Sequence, residues 1–131
     1  MKNLKTFEKF KYQKSKGLLP GGNADGKDLI YIGKKFGKTY AEMTKQLEIG
    51  KLVEIEHTQK SPNNPMGNPD INIEISLDHL IENPNYYSEL VEAGIADELN
   101  AINKYIELIG PIQNQETVNK YKERFGDEFN Q

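Results

Sequence analysis

Hydrophobic residues recur at intervals of three and four through most of residues 39–106, and this spacing predicts helices rather than strands. The first helix starts at Thr39, where Thr39 and Glu42 have the Thr-x-x-Glu spacing of a capping box. It continues through Tyr40, Met43 and Leu47 as far as His57. Gly50 falls inside it. Glycine weakens a helix by roughly 1 kcal/mol relative to alanine, so its presence implies that another backbone comes close at that point. A second helix is expected with Asn68 as N-cap and Pro69 at the first helical position, carrying Ile71, Ile75, Leu77, Leu80 and Ile81. Asn83-Pro84 repeats the same start signal and predicts a third helix on Tyr87, Leu90, Val91, Ile95, Leu99, Ile102 and Ile106, stopped by Gly110-Pro111.

Outside these helices the pattern is less regular. Leu4, Phe7 and Phe10 lie three residues apart among Lys2, Lys5, Lys9 and Lys11, giving the first sixteen residues one apolar helical face. Such a segment is too short to hold a helix alone in water, which points to docking on a partner. Gly17 to Gly26 is turn-rich and predicts a loop, of which Gly21 to Lys27 is expected to be ordered against the helical core. Leu29 to Ile32, a β-branched and aromatic run closed by Gly33, predicts one short strand or an extended segment laid on helices. Gln59 to Asn68, with Pro62, Pro65 and Gly67, predicts an irregular loop, and Glu116 to Phe129 either a short helix on Val118, Tyr121 and Phe125 or a mobile end. The expected fold class is therefore mostly α. A small helical domain with three main helices and a Gly-rich N-terminal loop spans residues 17–110, after a basic leader at 1–16 and before a C-terminal segment at 111–131.

Composition narrows the functional classes. The 131 residues are 36% hydrophobic with no tryptophan, enough for a small core. The absence of cysteine excludes disulfides, thiolate metal sites and a Cys nucleophile. No run is apolar enough to span a membrane, and no signal peptide is expected. The net charge of -3 hides a division: residues 1–51 carry twelve lysines against five acids, whereas residues 52–131 carry five basic groups against fifteen acids. The basic front suits an acidic surface, but the acidic remainder would repel a nucleic acid lying across the domain. Lysine and asparagine richness also follows from AT-rich codons, with no ligand involved.

Candidate chemistry gathers around the two histidines. Leu47, Gly50, Glu54 and His57 form one line on the first helix, and Ile71, Ile75, Asp78, His79 and Glu82 a second line on the next. Both lines are read as core-facing, so antiparallel packing would bring the two polar groups together. They can form a hard-ligand N/O site for zinc, iron or manganese. Alternatively each imidazole is held by a carboxylate in a buried network that needs no cofactor. The chain has no Gly-x-Ser-x-Gly elbow, no His-Glu-x-x-His and no phosphate-loop motif; Gly21 to Lys27 reads as a turn, and Tyr86-Tyr87 as helix-start packing with a phenol reaching a partner.

Three blocks in order resemble a small domain family of unknown function found in phage and bacterial proteins. They are Gly21-Gly22-Asn23-Ala24-Asp25, Gly50-Lys51-Leu52-Val53-Glu54-Ile55-Glu56-His57-Thr58, and Asp78-His79-Leu80 with Glu82, Pro84, Tyr86 and Tyr87. The resemblance covers about residues 18–90 and implies no activity. Gln59 to Asn68 replaces the family's shorter Asp-Pro turn. Residues Met1 to Phe10 resemble the leaders of internal head proteins of T-even-like phages, which implies targeting to an assembling head, although no Leu/Ile-x-Glu cleavage site follows. Gly94 to Tyr105 is similar to the first metal-ligand helix of rubrerythrin-like ferritins, in which the residue matching Glu98 is a ligand, but no Glu-x-x-His helix comes next.

Taken together, the sequence favours a non-catalytic phage structural or interaction protein, associated with the virion or head and found there or in the host cytoplasm. Its expected partners are capsid or other head components bound through Leu4, Phe7 and Phe10, with no membrane or nucleic acid. The competing class is a metal-binding protein or metal-dependent enzyme that uses Glu54, His57, Asp78, His79 and Glu82.

Overall fold

A computed structural model describes residues 26–55 and 71–131 of the chain. Among these described residues six α-helices follow in order: α1 Gly26–Phe36, α2 Tyr40–Val53, α3 Ile71–Glu82, α4 Tyr86–Glu92, α5 Leu99–Leu108 and α6 Gln115–Phe125, the last followed by a 3-10 turn at Gly126–Glu128. The fold is mostly helical, and no strand occurs among the described residues. Helix α2 is central, with α1, α3, α4 and α5 all packed on it.

The expected short strand at Leu29 to Ile32 is instead the middle of α1. Leu29 and Ile32 are buried while Ile30 and Tyr31 between them are exposed, a burial pattern of period three to four that belongs to a helix. Packing on α2 and α3 overrides the local β-branched preference. Gly26, read as the end of a loop, already lies in this helix, and the rest of the expected Gly-rich loop, Gly17 to Asp25, lies outside the described residues.

Helix α2 starts as its sequence dictates. The Thr39 hydroxyl accepts from the Glu42 N–H at 3.1 Å, and the Thr39 N–H donates to the Glu42 carboxylate at 2.8 Å. Donation from that backbone N–H holds the Glu42 carboxyl below its ordinary range. The helix ends at Val53, four residues short of His57; the Glu54 N–H bonds the Gly50 carbonyl at 2.9 Å and the chain leaves the helix there. His57, the loop from Gln59 and the expected cap at Asn68-Pro69 lie outside the described residues.

The single long third helix is two helices. At Gly94, with φ of +78°, the backbone enters the left-handed region, and the Ile95 N–H turns back to the Leu90 carbonyl at 3.4 Å, closing α4 with a Schellman-type bond. Ile95, expected on the apolar stripe, is consequently 59% exposed. The start of α4 is also later than expected: Asn85 is the N-cap, and the Asn83 side chain accepts from the Asn85 N–H at 3.0 Å.

The C-terminal segment joins the same core. Val118, Tyr121 and Phe129 are buried with the residues of α2 to α5. The Glu92 carboxylate is their anchor, accepting from the Tyr105 hydroxyl at 2.8 Å and from the backbone N–H groups of Gln113 and Asn114 at 3.1 and 3.2 Å. Burial, reinforced by that bond to Glu92, raises the Tyr105 phenol above its ordinary range. Tyr121 donates to the Val91 carbonyl at 2.8 Å, so α6 is pinned to the α4–α5 corner by polar as well as apolar contacts. None of the described helices is long and apolar enough to cross a membrane.

Candidate functional site

Gln46 and Gly50 on α2 and Glu54 at its C-cap stand four residues apart along one line, and all three are buried. That face receives α4. The Gln46 amide donates to the Ser88 hydroxyl at 2.6 Å, and its carbonyl accepts from the Ser88 N–H at 3.3 Å. Two turns further on, the Tyr87 hydroxyl donates to Glu54 Oε2 at 2.9 Å. Between the two links the Tyr87 ring lies against Gly50. A Cβ there would sit 2.5 Å from Tyr87 Cε2 and 2.9 Å from the Ser76 hydroxyl. The close approach foreseen at Gly50 is therefore real, but what approaches is an aromatic ring rather than a backbone.

Helix α3 completes the cluster from the other side. His79 Nε2 lies 3.6 Å from Glu54 Oε2, the same oxygen that accepts from Tyr87. The imidazole stacks on Tyr86, with centroids 4.3 Å apart and planes 5° from parallel, and meets the Tyr87 ring edge-on at 6.1 Å. Tyr86 and Tyr87, adjacent at the start of α4, thus hold His79 and Glu54 respectively. Burial drives the Tyr87 hydroxyl far above the ordinary phenol range; the Ser76 side chain opposes the shift, and the Glu54 carboxylate adds to it. A phenol so shifted stays protonated and acts as a fixed donor rather than as an acid or base.

The predicted site residues divide. Glu54 and His79, on different helices, come together as expected. Glu54 is 8% exposed, but the His79 side chain is 37% exposed, so it sits at the edge of the domain and is not a core group. Asp78 and Glu82 are exposed, and Ile71 and Ile75 are half-buried, which corrects the face assigned to this helix. The buried face of α3 is Asn72, Ser76, Leu77 and Leu80, rotated by about a quarter turn from the expected line. It contains polar Asn72 and Ser76, which hydropathy alone assigns to solvent. Asn72 donates to the Lys51 carbonyl at 3.1 Å and Ser76 to the Asn72 carbonyl at 2.7 Å. His57, Leu4, Phe7 and Phe10 lie outside the described residues. Among the described residues no group of three or more His, Cys, Asp or Glu side chains is placed to hold a metal ion. Glu98, matched above to a ferritin ligand, is the N-cap of α5.

Sequence reasoning missed the pairing of Gln46 with Ser88 and the role of Glu92. The first had a readable signal, since Gln46 occupies the same face as Gly50 and Glu54. Glu92 had none, because its partners lie 13 to 22 residues away across a turn.

These features define a small helical protein whose central helix carries a polar, glycine-notched face fitted to the helix start at Tyr86-Tyr87. A model of the family described as "Protein of unknown function (DUF5661)" matches residues 29–94, half of the chain, and the chain belongs to that family. The match begins in α1 and ends at Gly94, so α5 and α6 lie beyond it. No curated protein and no solved structure matches the chain.

Proposed function

We propose that this chain is a non-catalytic structural or interaction protein of phage origin, associated with the virion head. Its basic leader docks on a capsid or other head component through Leu4, Phe7 and Phe10. The observation that carries the reading is the use made of Glu54. Its Oε2 accepts the Tyr87 hydroxyl and faces His79, which Tyr86 covers. The polar residues most suited to chemistry are thereby spent on joining α2, α3 and α4, which supports a scaffold role for the domain and leaves recognition to its surface and leader. Deleting residues 1–16 should leave the melting temperature nearly unchanged and abolish incorporation into assembled particles. Undiminished incorporation would overturn the reading.

A second reading has one observation in its favour: Glu54 and His79 are brought within 3.6 Å, and His57 follows Glu54 by three residues in the chain. In this version the imidazoles and the carboxylate hold zinc, iron or manganese. A metal that binds only the folded state raises its stability, so a chelator should lower the melting temperature of the wild type but not that of His57→Ala. Insensitivity of both proteins to chelator would dismiss the metal.

A further inference from the structure

Where α4 and the end of α5 meet α2, a cavity of about 300 Å³ opens, at the small end of the range for ligand pockets. Its carbon lining is Met43 of α2, Pro84 before α4 and Ile109 at the C-cap of α5, the last 43% exposed. Its polar lining is mostly donor. Lys38 and Lys45 form no ion pair among the described residues. The Ser88 hydroxyl accepts from the buried Gln46 amide at 2.6 Å, which leaves the hydroxyl proton and the second Gln46 amide proton without an acceptor among the described residues. Asn85, at the N-cap of α4, makes no cap bond with its side chain. Glu42 is the acidic exception, and it is already engaged: it accepts from the Thr39 N–H at 2.8 Å, and its carboxyl is lowered chiefly by that bond and further by the charges of Lys38 and Lys45.

We propose that this cavity binds a small organic carboxylate, its anionic group on Lys38, Lys45 and Ser88 and its carbon body on Met43, Pro84 and Ile109. A cationic ligand would meet two ammonium groups. A neutral apolar ligand would cover the Ser88 and Gln46 protons without giving them an acceptor, which costs free energy. Two lysines against one glutamate leave the lining a single net positive charge, which balances a monoanion and not a phosphate dianion. A phosphate would also leave the carbon lining uncovered. The inference goes beyond the scaffold role and does not depend on it, since it uses neither the leader nor Glu54.

The test is a titration of the full chain with sodium hexanoate, followed through the backbone amide resonances. Hexanoate should bind saturably with a Kd of about 1 mM, in keeping with so small a ligand. The resonances that move should be those of the cavity lining, Lys38 to Gln46, Pro84 to Ser88 and Ile109. Hexanamide has the same size without the charge and should bind about tenfold more weakly, because charge-assisted hydrogen bonds are lost. Lys38→Gln and Lys45→Gln should keep the helical circular-dichroism signal and should each weaken hexanoate about threefold or more, with little effect on hexanamide. Lys120→Gln, at a position that does not line the cavity, should leave both affinities as they are. The proposal is overturned if hexanoate gives no saturable shift in the millimolar range, or if hexanamide binds as well. It is equally overturned if the two cavity lysines matter no more than Lys120, or if inorganic phosphate binds more tightly than hexanoate.

Discussion

Replacing Tyr87 with alanine should lower the stability of the domain by about 4 kcal/mol, within the range for deleting a large buried aromatic side chain. Tyr87 is fully buried, between Gly50 on α2 and the start of α4. Its removal empties the seam between the two helices and takes from the buried Glu54 carboxylate its hydroxyl donor. For a chain of this length that loss corresponds to a fall in melting temperature of roughly 15 °C. Urea denaturation followed by circular dichroism would measure it. A loss below about 1 kcal/mol, the range of ordinary surface substitutions, would mean that the α2–α4 seam is not packed as described.

The second large effect is expected at Gly50. Glycine to alanine inside a helix ordinarily stabilises it by up to about 1 kcal/mol. Here the added Cβ would sit 2.5 and 2.8 Å from two Tyr87 ring atoms and 2.9 Å from the Ser76 hydroxyl, so something must move. The ring cannot retreat without breaking its bond to Glu54, and Ser76 is held by the Asn72 carbonyl. Overpacking at such a site is destabilising by about 1 to 3 kcal/mol, which outweighs the helical gain. Gly50→Ala should therefore unfold at lower urea than the wild type, whereas an unchanged or raised midpoint would show that Tyr87 can shift aside.

Much of the first long helix was readable in the chain, and for local reasons. A capping box acts over four residues, and Thr39 with Glu42 forms it as the spacing predicts. The apolar periodicity from Met43 to Leu47 and the anomaly at Gly50 are local as well. Where the reading failed, distant contacts or a special backbone conformation decided. Leu29 to Ile32 looks β-like until it is known that α1 packs on α2 and α3 with Leu29 and Ile32 buried in the common core. Glu-Ala-Gly-Ile at 92–95 contains the glycine signal of a helix end, but the apolar residues on both sides of it continue the same period and hide the break. The face of α3 was misjudged because Asn72 and Ser76 are buried by bonds to backbone carbonyls, while isoleucines occupy the flank. Within the cluster, Glu54 and His79 could be paired from their positions on the helices. That Tyr86 and Tyr87 would divide between them, one stacking on the imidazole and the other bonding the carboxylate, requires the position of α4.

The central claim is that Glu54 serves as a structural link between helices, and a double-mutant cycle between Tyr87→Phe and Glu54→Ala measures that link directly. Removing the hydroxyl, the carboxylate and then both isolates their coupling from the packing of the ring. A buried bond to a charged acceptor predicts a coupling of about 1.5 to 3 kcal/mol, with the second substitution doing much less harm once the first is present. Strict additivity, with no coupling beyond about 0.5 kcal/mol, would contradict the account and return Glu54 to the groups available for chemistry.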